Sequence, residues 1–138
     1  MKSTKVIGFF IIFILTVSIA LADAGDAYPV TTGDRDFLGE LRTAVLSGDA
    51  GRVALLVQFP ISVPEKNGRI ELKGARDFTL HYKEIFTEKV KSAIRQQVPE
   101  KLQKNWQGVM IGKGEIWFDE IEVREGEGFV RKIIGINP

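Results

Sequence analysis

Between Asp36 and Ser47 the apolar residues Phe37, Leu41, Ala44 and Val45 fall at helical spacing. That spacing lines one face of a helix, with Asp34 or Asp36 placed to cap its start and Gly48 to end it. Asp49 then caps a shorter helix in which Val53, Leu56 and Val57 share a face, and Pro60 stops it by holding Phe59 out of the helical region. The runs "ISVP" and "RIEL" alternate instead, and Asn67-Gly68 between them predicts a hairpin turn. From Ala75 helical spacing returns at Phe78, Tyr82, Ile85 and Phe86; Thr87 caps a continuation through Val90, Ala93 and Ile94 towards Pro99. The last third alternates again, from Asn105 to Ile111, Gly114 to about Arg124, and Phe129 to Ile136 after a Gly126-Glu127-Gly128 turn. A three-stranded antiparallel meander is expected there. Helices grouped ahead of strands predict an α+β domain, N-terminal helices packed on a curved antiparallel sheet, and not a doubly wound parallel one.

Ahead of these elements, Lys2 and Lys5 precede an apolar run from Val6 to Ala22. It is slightly shorter than the ~20 residues that span a bilayer and ends in small residues, so residues 1–22 are expected to be a secretory signal cleaved after Ala22 or Ala24. Residues 23–33 are then a flexible leader and 34–138 one domain. Cleavage after Ala22 leaves 116 of the 138 residues. It removes two lysines and no acid, taking Lys plus Arg against Asp plus Glu from 19 against 18 to 17 against 18, and net charge from +1 to −1. That balance argues against nucleic acid and, after cleavage, against a membrane surface, both of which need a clustered positive excess. The chain has no cysteine, which excludes disulfides and thiolate metal sites.

The segments "FLGELRTAVLSGDAGRVALLVQFPISV", "DFTLHYKEIF", "NWQGVMIGKGEIWF" and "KIIGINP" together resemble the nuclear transport factor two-like superfamily, which includes polyketide cyclase-like and ketosteroid isomerase-like enzymes. The resemblance spans nearly all of the chain after the signal and is nearest to small secreted bacterial members. It implies a cystatin-like cone with a cavity between helices and sheet. It transfers no catalytic residue.

"NWQGVMIGKGEIWF" also has the look of a phosphate loop. A Walker loop requires four residues between its first glycine and the Gly-Lys pair, then a hydroxyl and a helix. Gly108 to Gly114 is one residue short, places glycine where the hydroxyl belongs, and enters a strand. A hairpin turning at Lys113-Gly114 explains the glycines, pairing Ile111 with Ile116, Met110 with Trp117 and Val109 with Phe118. One face then shows Val109, Ile111, Ile116 and Phe118; the other shows Trp106, Gly108, Met110, Glu115, Trp117 and Asp119. Both are too apolar for water alone, so one is expected on the helices and the other against a second subunit or a ligand.

The candidate ligand-binding residues are Tyr82, Trp106, Met110 and Trp117. Asp119, set among indoles, is a weak candidate general base, since burial there raises a carboxylate's pKa. The lone His81, beside the Phe78-Tyr82-Ile85 stripe, is the other; without a second histidine it makes a poor metal site. Tyr82 is expected to turn its ring inward and find a partner for its hydroxyl. The charged run "TEKVKSAIRQQVPEKLQK" marks a solvated helical face. The expected function is that of a secreted, bacterial periplasmic, non-enzymatic domain without metal or cofactor. It binds a small apolar ligand or a protein partner and forms a homodimer through its sheet. The alternatives are an isomerase or cyclase using Asp119 or His81, and an inhibitor or immunity protein acting on an envelope enzyme.

Overall fold

The computed structural model describes residues 28–138; the expected signal and its cleavage site lie outside them. Helix α1 (Thr32–Leu46) buries Phe37, Leu41, Ala44 and Val45, the stripe its spacing predicts. Its cap is Thr31, one turn earlier than expected: Thr31 Oγ1 accepts from Asp34 N–H at 3.3 Å and Asp34 Oδ2 accepts from Thr31 N–H at 2.9 Å. This reciprocal capping box satisfies two otherwise orphaned amides and leaves Asp34 at the third helical position. The fold also begins before Asp34, since Tyr28 N–H donates to Lys104 C=O at 3.2 Å. The stretch from Tyr28 to Gly33, read from sequence as leader, is therefore part of the domain.

Helix α2 (Ala50–Ala54), capped by Asp49, has only 5 residues. It does not run on to Pro60, because Leu56 and Gln58 leave the helix to bond the backbone of Ile133. Strands β1 (Ile61–Glu65) and β2 (Gly68–Leu72) form the expected hairpin. Glu65 pairs with Gly68, so its turn is Lys66-Asn67, and Gly68, not Asn67, carries the positive φ, 144°. Helices α3 (Ala75–Ile85) and α4 (Glu88–Gln96) follow, α4 capped by the Thr87 hydroxyl. From α1, Arg42 donates to Ile94 C=O at 3.1 Å and to Gln97 C=O, placing a cation on carbonyls at the end of α4.

After a single 3-10 turn at Pro99–Lys101 come β3 (Gln103–Asn105), β4 (Gly108–Ile111), β5 (Ile116–Glu122) and β6 (Phe129–Ile136), an antiparallel sheet of four strands in sequential order. The expected three-stranded meander is corrected here, because the stretch from Asn105 to Ile111 is not one strand. Asn105 Oδ1 accepts from Gln107 N–H at 2.8 Å, folding Trp106-Gln107 into a tight turn. Gly108 leaves that turn at φ 122°, a conformation glycine alone takes without strain.

The core lies between the helices and the inner sheet face. Val109, Ile111, Ile116, Phe118 and Ile133 point into it and are fully buried. Phe37 packs on Phe118 with ring centroids 4.6 Å apart, and Phe78, Tyr82 and Phe86 form a mutual aromatic cluster. The domain is thus α+β, with helices packed against an antiparallel sheet. Among the described residues no helix is long and apolar enough to cross a membrane.

Candidate functional site: the sheet face and an anchored carboxylate

The β4–β5 hairpin has the register its sequence predicts, Val109 with Phe118, Met110 with Trp117 and Ile111 with Ile116. Its turn is wider, however, running from Gly112 to Glu115. Its amides are already engaged: Gly112 N–H donates to Gln97 Oε1 at 2.8 Å, Lys113 N–H to Glu115 Oε2 at 2.6 Å and Gly114 N–H to Ile111 C=O at 3.3 Å. A phosphate loop must leave such amides free for its ligand. The turn is a structural one, closed by the Glu115 carboxylate.

With Val109, Ile111, Ile116 and Phe118 inward, the Trp117 face looks outward. Trp117 lies over Gly135, where an added Cβ would come within 3.4 Å of its own, and its indole Nε1 lies 3.3 Å from a Cβ built on Gly114. Met110, Trp117, Asp119, Ile121 and Ile134 are half-buried, an apolar band interrupted by Asp119 and its cross-strand neighbour Lys132, also half-buried. Trp106, expected on the same wall, stands in the β3–β4 turn and is 77 % exposed. It is removed from that wall by the extra turn, which breaks the two-residue alternation.

The other sequence candidates are not gathered with this band. Tyr82 is buried on α3, on the opposite side of the sheet, with its ring stacked on Phe86 at 5.0 Å. Its hydroxyl has no hydrogen-bond partner among the described residues, contrary to expectation. Burial, followed by the negative charge of Asp49, pushes its pKa above the ordinary tyrosine value. His81 is on the exposed side of α3, its Nδ1 3.3 Å from Glu84 Oε2. Asp119 accepts from Glu120 N–H at 2.9 Å and sits across from Lys132. Asp119 and His81 thus stand on separate elements and do not converge. Among the described residues no cluster of three or more histidines and acids is placed to hold a metal.

The most developed polar constellation lies elsewhere, around Asp34. This carboxylate is only 1 % exposed. Arg131 Nε on β6 donates to its Oδ1 at 2.8 Å, and Lys104 Nζ on β3 lies 3.3 Å from Oδ2. The same guanidinium reaches Thr31 Oγ1 at 3.1 Å and the Glu120 carboxylate on β5. Gly33 makes room for it, since a Cβ there would come within 2.5 Å of Arg131 Nη1. Burial alone would raise the Asp34 pKa; the hydrogen bonds from Arg131 and Thr31, with the charge of Lys104, outweigh it and hold the carboxyl below its ordinary value. Every charge in the group is paired, as an anchor requires. Sequence reading placed Asp34 only as a local cap. The available signal was Arg131, two residues before the inward Ile133 on β6 and therefore a charge on a core-facing position.

No protein family, curated protein or solved structure matches the chain.

Proposed function

We propose that the protein is an exported, non-enzymatic binding domain of the bacterial envelope, with the cone of the nuclear transport factor two-like superfamily, that associates through the outer face of its four-stranded sheet. A second copy is the first partner proposed. The observation that carries this reading is the half-buried band of Met110, Trp117, Ile121 and Ile134 on the sheet face away from the helices. Apolar surface of this kind gains free energy when covered, in proportion to the area removed from water. The inner face favours a protein partner over a small apolar ligand, because fully buried phenylalanines at 78, 86 and 118 occupy the space between helices and sheet. Binding is favoured over catalysis by the positions of Asp119 and His81, neither of which faces the interior.

Light scattering coupled to size exclusion tests the reading on purified exported protein. A dimer is expected at high micromolar concentration, and Trp117→Lys, which places a charge in the centre of the band, is expected to return it to monomer. A protein that stays monomeric at every concentration tested rules the dimer out.

A further inference from the structure

The two edges of the four-stranded sheet are treated differently. At β3, Tyr28 N–H bonds Lys104 C=O. At β6 the backbone bonds to the neighbouring segment are at Ile133, whose N–H donates to Leu56 C=O at 2.7 Å and whose C=O accepts from Gln58 N–H at 2.9 Å. Both backbone groups of Ile133 therefore point away from β5. Such groups alternate along an antiparallel strand, so those of Arg131 and Phe129 point to the same open side. Gly128, out of phase with them, faces β5 and accepts from Val123 N–H at 3.0 Å. Among the described residues no hydrogen bond reaches the outward N–H or C=O of Phe129 or Arg131.

Beside this free edge runs an open groove of about 540 Å³ between β6, α1 and the end of α2. Its apolar lining includes Leu55, 68 % exposed, and Val130, 40 % exposed. Four charged side chains line it, and only the cations are engaged. Arg131 is held by Asp34 and Glu120, and Lys132 donates to Leu55 C=O. Asp36 and Glu40, one turn apart on α1, are exposed and form no ion pair among the described residues. Lys132 keeps its charge, because its carbonyl partner is neutral, so Asp36 and Glu40 leave the groove with one negative charge in excess.

We propose that the Phe129–Arg131 edge is a strand-addition site for an extended peptide segment of a partner protein that alternates basic and apolar residues. Main-chain bonds to Phe129 and Arg131 supply the pairing. Alternate side chains of the added strand then face α1, where Asp36 and Glu40 select a lysine or arginine, while the intervening ones lie beside Val130. The chain's own residues just before Tyr28 have the wrong charge for this groove, since they include Asp23 and Asp26. The site adjoins the sheet face proposed above for association, since Val130 pairs with Ile121 of that face, but its pairing groups are on the strand edge.

The test is an amide NMR titration of the exported protein with a short blocked peptide of alternating valine and lysine, against its valine and glutamate counterpart. The lysine peptide is expected to shift the amides of Phe129 and Arg131 and slow their hydrogen exchange, and to bind about tenfold tighter than the glutamate peptide. Phe129→Pro removes an edge donor that serves no ladder bond, and binding should be lost. The double variant Asp36→Lys, Glu40→Lys changes two exposed side chains, which keeps the test available if the proline variant does not fold, and should reverse the peptide preference. Equal affinity for the two peptides, shifts confined to another surface, or unchanged binding by the double variant would overturn the proposal.

Discussion

Arg131 Nε donates to Asp34 Oδ1 across 2.8 Å, joining the first turn of α1 to the last strand of the sheet over 97 residues of sequence. With Lys104 on the other oxygen, this carboxylate fastens both edge strands to one helix end. Asp34→Ala would leave the partly buried Lys104 without an anion and Arg131 held by Glu120 alone. Breaking a buried pair in this way costs about 3–5 kcal/mol. Urea unfolding at neutral pH should show a loss of that size, and a loss below about 1 kcal/mol would mean that water already replaces the anchor.

The same carboxylate sets a pH dependence. Its folded pKa is below the unfolded value, so the unfolded chain binds the proton more readily. The stabilisation is therefore complete above the unfolded value of about 4 and is lost as pH falls through the lowered folded one. Wild type and Asp34→Asn should differ most at neutral pH, and their urea midpoints should converge in acid. A constant gap between them would place the titrating group elsewhere.

Two glycines of α1 should respond to alanine with opposite signs. A Cβ on Gly39 would meet nothing within 4 Å, whereas one on Gly33 would strike the Arg131 guanidinium. Gly39→Ala should stabilise by about 0.5–1 kcal/mol through helix propensity. Gly33→Ala gains the same propensity but displaces a side chain held by three partners, and should destabilise by about 1–3 kcal/mol net. Thermal melts of the pair decide this, and stabilisation by both would show that Arg131 moves aside at no cost.

Tyr82→Phe removes a buried hydroxyl without a partner. Because the desolvation of that hydroxyl is uncompensated, the change should be neutral or stabilising by up to about 1 kcal/mol. The raised tyrosine pKa adds a second expectation. Ionisation is more costly in the folded state, so wild type loses stability as pH rises above about 10, and the phenylalanine variant should lose less. Chemical denaturation at neutral and alkaline pH reads both effects; a clear destabilisation at neutral pH would reveal a partner for the hydroxyl.

The two tryptophans should report separately. Trp106 stands in solvent at a turn, and Trp106→Phe should change stability by no more than about 0.5 kcal/mol. The remaining Trp117 signal should then become harder to quench with iodide as protein concentration rises, if copies cover the sheet face. Quenching independent of concentration would separate Trp117 from any interface.

What was legible in the sequence was local. The Phe37-Leu41-Ala44-Val45 and Phe78-Tyr82-Ile85 stripes gave their helices because a buried helical face must recur every three to four residues. The pairing of Met110 with Trp117 followed from the glycine-lysine-glycine turn, since a hairpin's turn fixes its register. The Trp106 side chain was misplaced because an Asx turn reset the alternation one residue after Asn105, and a period-2 count cannot see such a reset. Asp34 was harder still. Its cap role lies within four residues, but its partners are 70 and 97 residues away, and only the folded sheet brings Lys104 and Arg131 to one oxygen pair.

That separation bears on the order in which a growing chain can settle. Residues emerge from the ribosome in sequence, so α1 exists long before β6 does. Until the final strand has been made, Asp34 lacks its Arg131 partner and its burial carries an uncompensated desolvation cost. The first helix can form early, but it locks onto the sheet only after Arg131 has been made, 97 residues later. Under the export proposed above, a chain that crosses a membrane unfolded is served by a fold whose closing contact comes from a strand made long after its first helix.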